Sequence, residues 1–372
     1  MPTTATPTAF LLDESCFWHG GGNYAFLAPV GGLVQPIQGG LPESPESKRR
    51  LKNLLERTGL LAELVTRSAA PAHEEMLRRV HDGAYLKEFK RLSDAGGGEL
   101  GERTPFGPGG YEIAALSAGL AVEALRMVLA AEAHNAYALC RPPGHHCLPA
   151  HPMGFCLMAN IAIAVETALA ERRAERIAIV DWDVHHGNGT EAIFWERGDV
   201  LTISLHQENN YPRPSGGVEA RGAGAGEDYN INVPLLPGGG HDAYLYAFER
   251  IVQPALARFR PDAIVVAAGF DASGVDPLGR MLAFGATFKE MTRMLMQSAR
   301  ELCGGRLAFA HEGGYSELHV PFCAHQVLEE LSHSTIHAPD PLESRIGGQQ
   351  PTRRQIAFQR GLINEMAEFF LL

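Results

Sequence analysis

The feature that most constrains this chain is a series of short apolar, β-rich runs, four of which lead into His, Asp or Tyr beside glycine. AFLL (9–12), AYAL (136–139), RIAIVDW (176–182), VLTISLH (200–206), AIVVAAGF (263–270) and RLAFAH (306–311) are the runs. Helical patterns separate many of them, such as SKRRLKNLLERTGLLAELV (47–65), YEIAALSAGLAVEALRMVLAAEA (111–133) and HDAYLYAFERIVQPALARF (241–259). Strands alternating with helices imply βα crossovers and a mostly parallel central sheet with helices on both faces, hence an α/β fold. The 372 residues, 45% of them hydrophobic, suffice for one large core, and a single domain spanning 1–372 is expected. Glycine- and proline-rich segments at 19–45, 96–110 and 212–226 read as long loops, which in a compact domain tend to serve function.

Several classes drop out early. A net charge of −11 argues against direct nucleic-acid binding, while leaving a basic protein or a polyamine open as a substrate. No stretch approaches the ~18 apolar residues of a membrane-spanning helix. The opening MPTTATPTAFLL lacks a basic segment followed by a long apolar one, so no secretory leader is expected. Six cysteines (16, 140, 147, 156, 303 and 323) form no CxxC pair and read as reduced thiols, consistent with a soluble cytoplasmic protein. GxxxxGK[ST], GxSxG and HExxH are absent; GAGAGE (222–227) precedes a strand-like run rather than a helix, and PGGGHD (237–242) reads as a helix start.

Open parallel sheets place ligands at the carboxyl ends of their strands. Here RIAIV leads into DWDVHHGNG, AIVVAAG into FDASGVDPLG, AYAL into CRPPGHHC and RLAFA into HEGGY. If DWDVH stays extended, Asp181, Asp183 and His185 share one face, and Asp271 could complete a His/Asp/Asp set. Three protein ligands leave a position for water or substrate, as in a catalytic metal site, and an N/O donor set suits zinc, iron, cobalt or manganese. A lone DxH would more readily cap a turn; the company of GHH, FDA and EGGY favours the metal. His145 and His146 suit acid–base work, with Asp181 and Asn188 as candidate orienting partners. Tyr315, after two glycines, could donate a hydrogen bond to an oxyanion.

With these residues in place, the chain resembles the zinc-dependent histone deacetylases and acetylpolyamine amidohydrolases, in particular bacterial class II histone deacetylase-like amidohydrolases with an arginase/deacetylase-like fold. The landmarks RPPGHHC (141–147), GFC (154–156), DWDVHHGNGT (181–190), ISLH (203–206), NVPL (232–235), GFDA (269–272), DPLG (276–279) and EGGY (312–315) occur in family order. The resemblance runs over a core of about 10–331, leaving a C-terminal extension of about 332–372. It implies one zinc ion held by Asp183, His185 and Asp271. His146 is then the general base, His145 its electrostatic partner paired with Asp181, and Tyr315 the group that polarises the amide. It further implies a potassium ion near Asp181, Asp183, His185, Ser204 and Leu205, and a second monovalent site around Phe194, Val200 and Tyr229. Gly154, Phe155 and Tyr211 would line a tunnel for the acyl-lysine stem.

Some positions refine the resemblance. Asn188 replaces the aspartate of class I members, and a neutral partner should hold His146 less firmly in its protonated form. Tyr211 stands in place of the more usual phenylalanine. Leu278 occupies the rim position where a polyamine-selective relative carries glutamate, which favours acyl-lysine over a cationic tail. In the N-terminal loop, Phe17, Trp18 and Tyr24 could form the rim, join copies into a homo-oligomer, or pack on the domain's own surface. The expected reaction is deacylation of N-ε-acyl-lysine or a small acylated amine. The alternatives are acetylpolyamine deacetylation, a binuclear manganese ureohydrolase, for which FDASG has one aspartate too few, and a non-catalytic acyl-lysine binding module.

Overall fold

The computed structural model describes residues 7–372; residues 1–6, the start of the segment read as leaderless, lie outside them. Eight strands build one sheet: β1 (Thr8–Leu11), β2 (Val65–Arg67), β3 (Asn135–Ala138), β4 (Ile177–Asp181), β5 (Val200–Gln207), β6 (Asn230–Leu235), β7 (Ala263–Ala268) and β8 (Leu307–His311). Their order is β6-β5-β4-β7-β8-β3-β1-β2, and every pairing is parallel. Six of the eight are the apolar runs. The two edge strands are β6, the run after GAGAGE, and β2, which falls at the end of a stretch with helical pattern. There helix α1 (Glu46–Thr58) stops at Gly59, whose φ of +91° ends it in the left-handed conformation, and Val65 pairs with Ala9.

Side chains alternate across the sheet, so neighbours along one strand enter different cores. Phe10, Tyr137, Val180 and Phe309 pack on one face with α1, α6 (His241–Ala247), α7 (Gln253–Phe259), α8 (Gly285–Cys303), α9 (Val320–Ser332) and α10 (Arg353–Phe369). Ala9, Ala136, Ile179 and Ala308 pack on the other with α2 (Gly83–Asp94), α3 (Gly110–Leu129) and α4 (Asn160–Ala170). The stretch 241–259 is helical throughout, but a π turn over Phe248–Val252 separates α6 from α7. Among the described residues no helix is long and apolar enough to cross a membrane.

From β4 the chain builds outward through β5 to β6, then returns to the opposite flank of β4 with β7 and β8. Such a reversal of winding opens a crevice outside the carboxyl ends of the strands. The segments after β3, β4, β7 and β8 meet there.

Candidate active site

β4 ends at Asp181 because that side chain turns back on the main chain. Asp181 Oδ1 accepts the Asp183 N–H at 3.0 Å, and Asp183 Oδ1 accepts the His185 N–H at 2.9 Å. These are successive aspartate turns. DWDVH is therefore not extended beyond Asp181, and strand alternation is not what gathers its polar residues. The turn-capping and metal-site readings of these carboxylates are compatible, since each aspartate has a second oxygen. Asp183 Oδ2 accepts the Gly313 N–H (2.8 Å), and Asp271, after β7, accepts the Val184 N–H (2.8 Å). His185 Nδ1 lies 3.1 Å from Asp183 Oδ1 and 3.0 Å from Asp271 Oδ2.

One donor atom from each of Asp183, His185 and Asp271 lies within 4.8 Å of the others, and all three residues are buried. Two buried carboxylates repel unless a cation joins them. Burial opposes charge on His185, yet Asp271 and Asp183 hold a proton on its ring up to about 10. Burial and the neighbouring Asp183 push Asp271 up to about 6. The backbone leaves room at the cluster: a Cβ on Gly313 would sit 2.6 Å from Asp183 Oδ2. These three residues fit a divalent cation.

The two histidines after β3 differ in environment. Their rings are 4.0 Å apart. His145 Nδ1 is 2.9 Å from Asp181 Oδ2, and His146 Nδ1 is 2.8 Å from Asn188 Oδ1. Burial disfavours charge on both. Asp183 and Asp181 override it at His145, whose pKa lies well above the ordinary value, whereas burial and the charges of His145 and His185 drive His146 well below it. An amide oxygen only accepts, so His146 carries its proton on Nδ1 and keeps Nε2 as a base. Glu312 braces this loop: its Oε2 accepts the Gly144 (2.7 Å) and His145 (3.2 Å) N–H groups. Glu312 also groups with His145 and Cys156, but burial pushes the Cys156 thiol far above its usual pKa, so it stays a thiol rather than a thiolate ligand.

Tyr315 reaches the site from the loop after β8. Its N–H donates to Asp276 Oδ2 at 2.7 Å, while Asp276 Oδ1 accepts the Leu278 N–H at 2.9 Å. Burial, reinforced by Asp271 and Asp183, holds the phenol pKa well above its ordinary value, so the hydroxyl remains a donor. Behind this loop Ser273 Oγ is 2.6 Å from His319 Nδ1, and His319 Nε2 is 2.8 Å from Asp340 Oδ2. The order resembles a nucleophilic triad, but Ser273 is buried and its hydroxyl is held in the network. It braces the segment between Asp271 and Asp276.

His146, His185 and Tyr315 face a cavity of about 240 Å³ whose walls include Gly154, Phe155, Tyr211 and Leu278. Tyr211 meets the His146 ring edge-on at 5.0 Å, and Phe155 meets Tyr315 at 5.6 Å. Gly154 has φ +54°, and a Cβ there would collide with His146 Cδ2 and lie 2.9 Å from Tyr211 Cε1. Gly154→Ala is therefore expected to displace the His146 ring and lower kcat/KM by about 10²-fold, beyond any change in Tm. Wild-type turnover in that variant would mean the ring position is unconstrained.

The N-terminal loop supplies the rim, though not through the aromatics singled out in the sequence. Phe17 and Tyr24 are buried and Trp18 is 76% exposed, whereas Phe26 and Leu27, at the tip of the hairpin pairing Tyr24–Ala25 with Ala28–Pro29, line the cavity. Of the positions suggested for monovalent ions, Asp181 and Ser204 are register partners across β4 and β5 and share a small void of about 10 Å³; Leu205 follows in β5. Phe194 closes α5 (Asn188–Phe194) and Val200 opens β5, while the carbonyls of Phe194 and Tyr229 accept the Arg197 (3.0 Å) and Thr202 (2.9 Å) N–H groups. His206 and His311, to which the sequence assigned no ligand role, bond to Ser204 Oγ (3.0 Å) and to the Tyr137 hydroxyl (2.7 Å). Sequence reasoning missed Asp276, Glu312, Arg103 and Arg280 at the site. The first two stand inside DPLG and EGGY, where only the tyrosine and the leucine drew attention.

A model of the histone deacetylase domain matches residues 41–331. The chain is 57% identical over 364 residues to the histone deacetylase-like amidohydrolase of Pseudomonas aeruginosa, covering 98% of this chain and 96% of that protein. It is 38% identical over 280 residues to a probable deacetylase of Archaeoglobus fulgidus, covering 74% and 77%. The crystal structure of the HDA15 HD domain matches with a TM-score of 0.81 at 32% identity, covering 98% of this chain and 97% of that one.

Proposed function

The chain belongs to the histone deacetylase family, and from that premise we propose that it is a zinc-dependent amidohydrolase that removes acetyl or other acyl groups from N-ε-acyl-lysine. The observation that carries the reading is the cavity in which His146, Tyr315 and the Asp183–His185–Asp271 cluster converge behind apolar walls. Zinc held by those three residues would supply Lewis acidity to the acyl carbonyl and the attacking water.

The chain's own groups do the rest. Gly154, Phe155, Tyr211 and Leu278 enclose the lysine stem and exclude water from it. His146, neutral and carrying its proton on Nδ1, takes the proton from water at Nε2. Tyr315 donates its hydroxyl to the oxygen on which charge develops. His145, paired with Asp181, keeps a fixed positive charge beside that step, and a protonated imidazole returns a proton to the departing amine. Asn188 sets the tautomer and the ring orientation of His146. Asp181, Ser204 and Leu205, with Asp183 and His185, would hold a structural potassium ion, and Phe194, Val200 and Tyr229 a second monovalent ion. The reading places the protein in the cytoplasm, with the N-terminal loops as the contact if copies associate.

Acetate release by the zinc-loaded protein, compared on an ε-acetyl-lysine peptide and on N-acetylputrescine, tests the reading. The expected result is a higher kcat/KM on the peptide. Preference for the polyamine would transfer the protein to polyamine deacetylation, and silence on both, with zinc bound, would leave another acyl group or a non-catalytic binding module.

A further inference from the structure

The mouth of the cavity carries a charge pattern opposite to that of the chain as a whole. The protein bears a net −11, yet the side chains lining this cavity include two guanidinium groups, Arg103 and Arg280, and no carboxylate. We propose that Arg103 and Arg280 make the mouth a recognition site for a carboxylate, so that the favoured substrates are acyl-lysines with aspartate or glutamate as an immediate neighbour. The proposal rests on the acyl-lysine reading above and narrows it.

Arg103 is held at the mouth by its backbone. It sits between the two-residue strands Gly98–Glu99 and Pro105–Phe106, with φ +57°, a conformation unfavourable for a residue with a Cβ. Its carbonyl accepts the Phe155 N–H at 3.2 Å, and the preceding Glu102 carbonyl accepts the Gly154 N–H at 3.0 Å. The segment carrying Arg103 is thus bonded to the residues that form the cavity wall. Its guanidinium lies 5.7 Å from the centre of the Tyr211 ring and 2.8 Å from the Glu102 carboxylate.

Arg280 enters from the other wall, two residues after Leu278. Its N–H donates to Gln207 Oε1 (2.7 Å), and Nη1 donates to the carbonyls of Pro277 (3.2 Å) and Gly279 (2.6 Å). It forms no ion pair among the described residues and is exposed, so its remaining N–H groups face solvent. Glu102 offsets Arg103; nothing offsets Arg280. A planar guanidinium fixed by its own backbone contacts suits two-point binding of a carboxylate. The same charge repels a polyamine tail or a neighbouring lysine.

The test is kcat/KM of the zinc-loaded protein on three peptides that differ only in the residue beside acetyl-lysine: aspartate, alanine or lysine. Exposed charge contacts contribute up to about fivefold each, so the aspartate peptide should exceed the lysine peptide by about tenfold at low salt, mostly through KM. The ratio should shrink at high salt. In Arg280→Gln, and further in Arg103→Gln/Arg280→Gln, the ratio should approach one; taken within each variant, it cancels any general loss of turnover. Equal rates on the three peptides, a preference for lysine, or an aspartate preference that survives both substitutions would overturn the proposal. Should no peptide react while zinc is bound, the acyl-lysine reading itself falls, and this inference with it.

Discussion

Tyr315→Phe is expected to lower kcat by about 10²–10³-fold, the equivalent of ~2.7–4 kcal/mol in the barrier, with KM and Tm close to those of the parent. The substitution removes one oxygen and little else. The ring keeps its edge contact with Phe155 at 5.6 Å, and the backbone N–H keeps Asp276 Oδ2 at 2.7 Å. What disappears is a hydroxyl that burial and the charges of Asp271 and Asp183 keep protonated. An interaction made only as charge develops on the substrate oxygen is lost from kcat, not from ground-state binding. Steady-state kinetics beside a thermal melt would show the split. A Phe variant with full turnover would remove Tyr315 from the chemistry.

The second large effect is expected at Asp183. Asp183→Ala should abolish stoichiometric metal binding and, with it, detectable turnover. The carboxylate lies in the donor cluster and also accepts the N–H groups of His185 (2.9 Å) and Gly313 (2.8 Å), so its loss leaves buried donors unpaired, at a cost of about 1–3 kcal/mol each. Some loss of Tm is therefore part of the expectation, and activity alone would not separate folding from metal binding. Chelation of the parent protein makes the separation. The apo parent should keep its far-ultraviolet spectrum, since the two cores and the eight-stranded sheet do not depend on the cluster, and should regain activity when zinc is returned. The Asp183→Ala protein should bind no zinc and regain nothing. Zinc bound with unchanged stoichiometry in that variant would exclude Asp183 as a ligand.

The sheet was legible because six of its strands are apolar on both sides, so each reads as a continuous run. The two edges were harder. β2 has three residues and follows a helix whose apolar periodicity runs on through Leu64 in the sequence, while the left-handed Gly59 ends the helix itself. At the site, residue types pointed to the Asp183–His185–Asp271 cluster and both histidines, but the geometry joining Asp181, Asp183 and His185 was misread. Alternation describes a strand, and the side chains of Asp181 and Asp183 end this one by binding the backbone. Asp276 and Glu312 were missed for a related reason: their partners are main-chain N–H groups, which carry no signature in sequence. The rim shows a different limit. In a glycine-rich loop without periodicity, nothing distinguishes Phe26 and Leu27, which reach the cavity, from Phe17 and Tyr24, which turn inward.

The hydrogen-bonded line from Ser273 through His319 to Asp340 bears on where this protein can be shortened. The histone deacetylase domain match ends at Leu331, but the likeness to the Pseudomonas aeruginosa relative covers 98% of the chain, and the packing likewise continues past that residue. Asp340 supports a buried imidazole one contact removed from the Asp271 loop, and also accepts the Leu342 N–H at 2.8 Å. Further along, Gln350 accepts the His241 N–H (2.9 Å) at the start of α6, and the Phe370 carbonyl accepts Arg258 Nη1 (2.8 Å) at the end of α7. Ile363, Met366 and Phe370 lie in the larger core. A fragment trimmed at Leu331 is expected to expose that core and leave His319 without the Asp340 carboxylate.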